Sequence, residues 1–166
     1  MKMPPRPFLA GDCLPRNFSW VEVGQLAGCA QPNSERELLA LHAVGIRQLV
    51  TLSPERPPHQ TVTDMKELEH TTVPVEEFCG PTVQQLGQVC LLASAGPALA
   101  LHCRQGRGRT GTALAVVLMH RQSLTAAEAV ARVRAARLGS VETRAQEESL
   151  QAFQQALAVN SDLTKW

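Results

Sequence analysis

Tyrosine is missing from the 166 residues, and only four phenylalanines and two tryptophans are present. That scarcity argues against the stacked-aromatic platforms that hold single-stranded nucleic acid. Neither sign of charge is in excess. Sixteen Lys and Arg meet 15 Asp and Glu, leaving a formal charge of +1. No global field then recruits nucleic acid or a membrane, and any useful charge must be local. No apolar run approaches the roughly 20 residues of a membrane-spanning helix. The start, Met1-Lys2-Met3-Pro4-Pro5-Arg6-Pro7, lacks the apolar core of a secretory signal. A cytoplasmic location, extending to the nucleus, is the expectation. Five cysteines occur, at positions 13, 29, 79, 90 and 103. An odd number without Cys-x-x-Cys spacing disfavours a disulfide framework or a zinc site. Cys29 and Cys90 read as small packed hydrophobes.

The chain length suits one domain of about 100–200 residues. Residues 1–16, rich in Pro and Arg, read as a flexible arm, 17–158 as the folded domain, and 159–166 as a frayed tail. Phe18–Val23 and Gln25–Ala30 suggest a hairpin around Gly24. Capping boxes begin at Ser34, Thr82, Thr125 and Thr143, each with Glu or Gln three residues on, and each opens a predicted helix. Ile46–Leu52 reads as a strand after the Gly45 helix stop. Residues 61–70 suggest a short helix through Met65 and Leu68. Thr71–Val75 reads as an edge strand, because Pro74 cannot donate to a central ladder. Neither repeats nor a domain linker are visible. The sum is an α/β fold, a short mostly parallel sheet flanked by helices.

One stretch organises the rest: His102-Cys103-Arg104-Gln105-Gly106-Arg107-Gly108-Arg109-Thr110-Gly111. Small apolar residues, Pro97–Leu101, precede it as a buried strand, and Thr112–Met119 follow as a buried helix. A strand-to-helix turn of this kind points backbone N–H groups and a helix N-terminus at one spot, an anion site suited to phosphate. Cys103 supplies a nucleophile, and Arg109 a planar fork that matches phosphate oxygens. A bare Cys-x5-Arg in a loop would be a weak signal. The added histidine, three glycines and threonine make it specific.

This string resembles the signature of the cysteine-dependent protein tyrosine phosphatase superfamily. Asn17-Phe18-Ser19-Trp20, Leu26-Ala27-Gly28, Gly139-Ser140-Val141-Glu142-Thr143 and Gln146-Glu147 further resemble the VHZ-like small atypical dual-specificity phosphatases, over roughly residues 15–157. The resemblance implies a phosphotyrosine-phosphatase-like fold and a Cys103 thiolate that forms a phosphocysteine. Arg109 would clamp the equatorial oxygens, alongside the backbone of Arg104, Gln105, Gly106, Arg107 and Gly108. Thr110 would hydrogen-bond the sulfur, and His102 would brace the loop from behind. It implies no metal or cofactor, a monomer, and a phosphorylated protein or other phosphomonoester as substrate, with a shallow pocket and dual specificity.

Two departures stand out. Where the relatives carry an Asp as general acid, this chain has Glu77, preceded by Glu76 in place of a proline. Glu77 is the expected acid and Glu76 the second choice. A solvated acidic loop without a good acid is the plain alternative, which would leave a weakly active phosphate-binding module. Arg104 and Arg107 occupy variable positions of the loop. They either favour phosphoinositides or other polyanionic phosphates, or they point to solvent or pair with Glu76, Glu77 or Glu142. Gln146, as third residue of a capping box, has a structural task before any catalytic one. Cys79, beside the candidate acid, is the one candidate for a disulfide with Cys103, and for the resolving thiol that sulfur transfer or arsenate reduction would need. His42, His59, His70 and His120 lack ligand spacing and read as surface or packing residues.

Overall fold

A computed structural model describes residues 13–94 and 96–166 of the chain. Five strands, β1 (Ser19–Glu22), β2 (Leu26–Cys29), β3 (Gln48–Thr51), β4 (Glu69–Thr72) and β5 (Leu99–His102), form one sheet in the order β1-β2-β5-β3-β4. Only the β1–β2 hairpin is antiparallel, and the other three pairings are parallel. All four residues of β5 are buried, as expected for a central parallel strand covered on both faces. The expected α/β architecture is present.

Five helices flank the sheet: α1 (Glu35–Ala43), α2 (Val83–Ser94), α3 (Gly108–Gln122), α4 (Ala126–Ala136) and α5 (Arg144–Val159). All four expected capping boxes form, and each start signal is satisfied by its own side chains. Helix α3 differs: it has no capping side chain, and every residue from Gly108 to Met119 is buried. It forms the spine of the larger core, with Leu99 and Leu101 of β5, Leu86 and Val89 of α2, Val130 and Val133 of α4, and Leu150 and Phe153 of α5. The opposite face of the sheet holds a smaller core of Leu38, Leu41, Ile46, Leu49, Val62, Leu68 and Ala100.

Three expectations shift. Residues 60–64 form a short 3₁₀ turn, and β4 starts at Glu69, so Pro74 lies beyond the strand. Pairing with β3 overrides the weak helical pattern there. Residues 1–12 of the expected arm lie outside the described residues. Pro15 is buried, Leu14 packs on the smaller core, and the Arg16 carbonyl accepts from Ala30 N at 2.8 Å, so the domain begins before residue 17. The tail does not fray. Leu163 is buried in a terminal 3₁₀ turn, and the Trp166 ring meets Phe153 edge-on, with centroids 5.0 Å apart. The apolar load of Leu163 and Trp166 draws back a segment whose polar residues suggest fraying.

A polar stripe crosses the sheet on the α1 face. Because side chains alternate along a strand, Thr51 and His102 share this face, and register places them opposite each other. The Thr51 hydroxyl lies 2.7 Å from Nε2 of His102 and 2.7 Å from Nε2 of His70. Burial brings the His102 imidazole from 6.5 down to about 4, so the ring is neutral at physiological pH. The unfolded chain binds the proton first. The corresponding stability is therefore complete above about pH 6.5 and declines as the pH falls towards 4, by roughly 3 kcal/mol in total. Urea unfolding at pH 7, 5.5 and 4.5 should show this decline, and His102→Asn should flatten it.

Candidate active site

Cys103 follows the last residue of β5, is 4% exposed and lines a small cleft. Thr110, in the first turn of α3, donates from Oγ1 to Cys103 Sγ at 3.0 Å. The backbone between them is turned by ties from behind. Gln31 N donates to Arg104 O, Asn17 Nδ2 donates to Gln105 O and Gly106 O, and Arg137 Nη2 donates to Gly106 O. Gly111 N and Val141 N donate to Arg107 O. Across a planar trans peptide, C=O and N–H point in opposite directions. Four carbonyls held back therefore aim the N–H groups of Gln105, Gly106, Arg107 and Gly108 forward. With the uncapped end of α3, they make an anion cradle.

Gly106 lies at φ +75°, and a Cβ there would sit 2.5 Å from the Cys29 carbonyl, so no other residue fits. Arg109 is buried. Its Nη1 donates to Val75 O at 2.9 Å, and its Nη2 meets Glu55 Oε1 at 2.7 Å. A guanidinium has five N–H groups, so two anchors still leave donors for the cleft that Arg109 lines. The hydrogen bond from Arg109 holds the Glu55 carboxyl below its ordinary range.

Glu77 is half-buried and lines the Cys103 cleft, whereas Glu76 is exposed and lines a separate one with Pro54, Glu55, Pro74, Val75 and Glu77. Phe78 is 58% exposed at the rim in a left-handed conformation, φ 63°. Its carbonyl accepts the Thr143 hydroxyl at 3.1 Å, which ties the glutamate loop to the start of α5. Gln146 is fully buried. Its Oε1 accepts from Glu142 N and Thr143 N, while its Nε2 has no partner. Since Gln146 also lines the cleft, one end serves the cap and the other remains available there. Arg104 and Gln105 line the same cleft, and Arg107 opens onto a neighbouring one with Arg16 and Asn17. Among the described residues, neither Arg104 nor Arg107 has a carboxylate partner within 4 Å; both are exposed, so of the alternatives to a ligand role it is exposure to solvent, not pairing with Glu76, Glu77 or Glu142, that is present.

Cys79 is exposed and does not line the Cys103 cleft. Burial pushes the thiol of Cys29 well up, with Arg137 opposing, and that of Cys90 up to about 12, in keeping with packed, unreactive sulfurs.

Sequence reasoning overlooked four residues here. Glu55 lies in a Pro-rich loop without a local signal, and Glu142, part of the resembling Gly139–Thr143 stretch and a candidate charge partner, itself lines the cleft. His70 lacks ligand spacing, yet alternation along β4 puts it on the face of Thr51. Arg137, one of three arginines on a helix, is 3% exposed, and its Nη1 reaches Asn17 O, Ser19 Oγ and Gly28 O at 2.7–2.8 Å. Its position after the last turn of α4, just before Gly139, was the available signal.

Comparison with known proteins agrees with this geometry. Over 59 residues, 36% of this chain and 12% of the relative, the sequence is 42% identical to the mouse dual specificity protein phosphatase CDC14B. The chain thus spans a small part of that relative's length. Tk-PTP in its active form superposes with a TM-score of 0.75 at 27% identity, covering 84% of this chain and 97% of that one. Human DUSP28 gives 0.67 at 23% identity, covering 87% and 97%. PTPMT1 in complex with PI(5)P gives 0.77 at 18% identity, covering 87% and 99%; at these last two identities the likeness concerns the fold. A family model for the DSP-PTPase phosphatase domain of the Swiss Army Knife group matches residues 15–150. A match that runs from before β1 into α5 and includes the whole Cys103–Arg109 cradle makes this chain a member of that phosphatase family.

Proposed function

We propose that the protein hydrolyses phosphomonoesters through a phosphocysteine, with Cys103 as nucleophile. The observation that carries this is the Cys103 sulfur lining a small cleft, under Thr110 Oγ1, with Arg109 and four forward N–H groups around it. In this reading Cys103 Sγ attacks phosphorus as the ester oxygen departs. The N–H groups and Arg109 hold the charge that spreads over the equatorial oxygens. Glu77 gives its proton to the leaving oxygen, then takes one from the water that displaces the cysteine. Thr110 steadies the sulfur as it leaves, and His102 braces the loop. Phosphorylated proteins with dual specificity are the proposed substrates. Among the described residues Phe78 is the one aromatic residue lining the cleft, and it is exposed, so little there selects an aryl over an alkyl ester. Five free cysteines fit a reducing compartment, the cytoplasm or nucleus.

Leaving-group dependence tests the acid. Cys103→Ser should abolish turnover of every substrate. Glu77→Gln should lower turnover of a phosphoserine peptide by about 100-fold or more, and that of an activated aryl phosphate by far less. Equal losses on both would remove Glu77 from the role. A single fast release of one aryl equivalent, with no further turnover, would instead favour a phosphate-binding module.

A second reading, polyanionic phosphates, is favoured by the exposed Arg104 and Arg107, which have no carboxylate partner among the described residues, and by Arg16, which lines one cleft with Arg107. Arg104→Ser with Arg107→Ser should reduce kcat/KM for inositol polyphosphates relative to a phosphotyrosine peptide by on the order of tenfold. An unchanged ratio would leave the rim charge without a part in selection.

A further inference from the structure

The histidine that precedes Cys103 is the inner end of a hydrogen-bonded chain whose outer end, His70, lies on the edge strand β4. Donor and acceptor roles along this chain follow from its partners. His102 Nδ1 lies 3.4 Å from the Cys103 carbonyl. A carbonyl can only accept, so the weak bond there places the ring proton on Nδ1. The buried ring is neutral, and its Nε2 is then bare. Nε2 sits 2.7 Å from Thr51 Oγ1, so the single proton of that hydroxyl is directed at His102. Thr51 Oγ1 is left as acceptor towards His70 Nε2, also at 2.7 Å, and that nitrogen must carry a proton. Every bond then points the same way, from His70 through Thr51 and His102 to the Cys103 carbonyl. The opposite tautomer of His70 would leave one hydroxyl proton between two bare nitrogens.

We infer that His70 is a positioning residue for the Cys103 loop: its Nε2–H occupies the Thr51 oxygen, turns the Thr51 proton inward and thereby fixes the His102 tautomer that holds the Cys103 carbonyl. The inference rests on the reading of Cys103 as nucleophile for its functional consequence, but its structural content stands apart. Register supports it. His70 lies opposite Leu49, and Thr51 follows two residues later on the same face of β3, opposite His102. Of the titratable groups around the inner ring, His70 and Arg109 both oppose protonation of His102, which keeps the chain in its neutral form. His70 itself is only half-buried, so the chain links a partly solvent-exposed sheet edge to the loop that carries the sulfur.

The test uses the whole protein with ¹⁵N-labelled histidine. Long-range ¹H–¹⁵N spectra should show His70 as the Nε2–H form and His102 as the Nδ1–H form. In His70→Leu the His102 pattern should become a mixture of tautomers. In the same variant kcat should fall by on the order of tenfold, with KM changed less than twofold, because a displacement well under 1 Å already costs rate. His70→Gln, which keeps an N–H near the same place, should restore both. Thr51→Val should reproduce the His70→Leu pattern. Alkylation of Cys103 by iodoacetamide, which needs no phosphate substrate, should slow in step with kcat, so a failure of the phosphatase reading would still leave the positioning measured. A bare His70 Nε2 in the wild type would overturn the inference, and so would an unchanged His102 tautomer and alkylation rate in both His70→Leu and Thr51→Val. Equal losses in His70→Gln and His70→Leu would do the same.

Discussion

The constraint on which the rest of this structure depends is directional. Between β5 and α3 the chain has to turn four successive carbonyls away from the cleft, so that the N–H groups beyond them face inward. Backbone groups left unpaired in a protein interior are costly, so each reversed carbonyl needs its own donor. They come from four separate parts of the chain: Asn17 before β1, Gln31 after β2, Arg137 after α4, and Val141 before α5, with Gly111 adding one from within α3. Elements distant in sequence are thus required to build a loop a few residues long. The same logic accounts for the one helix without a capping side chain. A cap on α3 would spend the donors that the cradle presents to an anion.

Keeping the loop in this shape strains its surroundings. Val141, a β-branched residue, stands at φ 60°, and Phe78 at φ 63°. Such conformations persist where neighbours over-determine them. The Val141 side chain is buried in the larger core, and its carbonyl accepts from Arg134 Nη2 at 2.9 Å. Phe78 has no buried side chain to hold it, and its carbonyl is tied instead to Thr143. The core therefore fixes the segment beside Arg107, whereas the glutamate loop hangs on polar contacts. That contrast suits a scaffold that must be rigid beneath the sulfur and adjustable above it.

The sequence made the framework and the centre of the site legible, because both depend on local chemistry. A capping box spans four residues, and all four formed. A strand of small apolar residues before a Gly-rich turn announces a buried parallel strand. Cys103, Arg109 and Thr110 share one short string. What stayed hidden depends on pairing between remote residues. The place of Arg137 after the last turn of α4 hints that it leaves the helix, but not that its guanidinium will reach Gly28 and Gly106. Nothing in the Pro-rich run around Glu55 announces Arg109. The tail was misjudged because its polar residues outnumber Leu163 and Trp166, although those two decide where it packs.

The balance of charge at the cleft follows from the same division. Arg109 and Arg137 are both buried and differ in partners. Arg137 is satisfied chiefly by carbonyls, no carboxylate among the described residues is in contact with it, and burial pulls its pKa down. Arg109 meets Glu55, an exposed carboxylate whose grip is weakened by solvent. A dianion entering the cleft then meets one guanidinium locked behind the backbone, which supports the cradle without touching the ligand. It meets another whose carboxylate partner sits in water and competes poorly for its remaining donors. Glu77 and Glu142 line the same cleft, so it holds carboxylates as well as guanidinium groups.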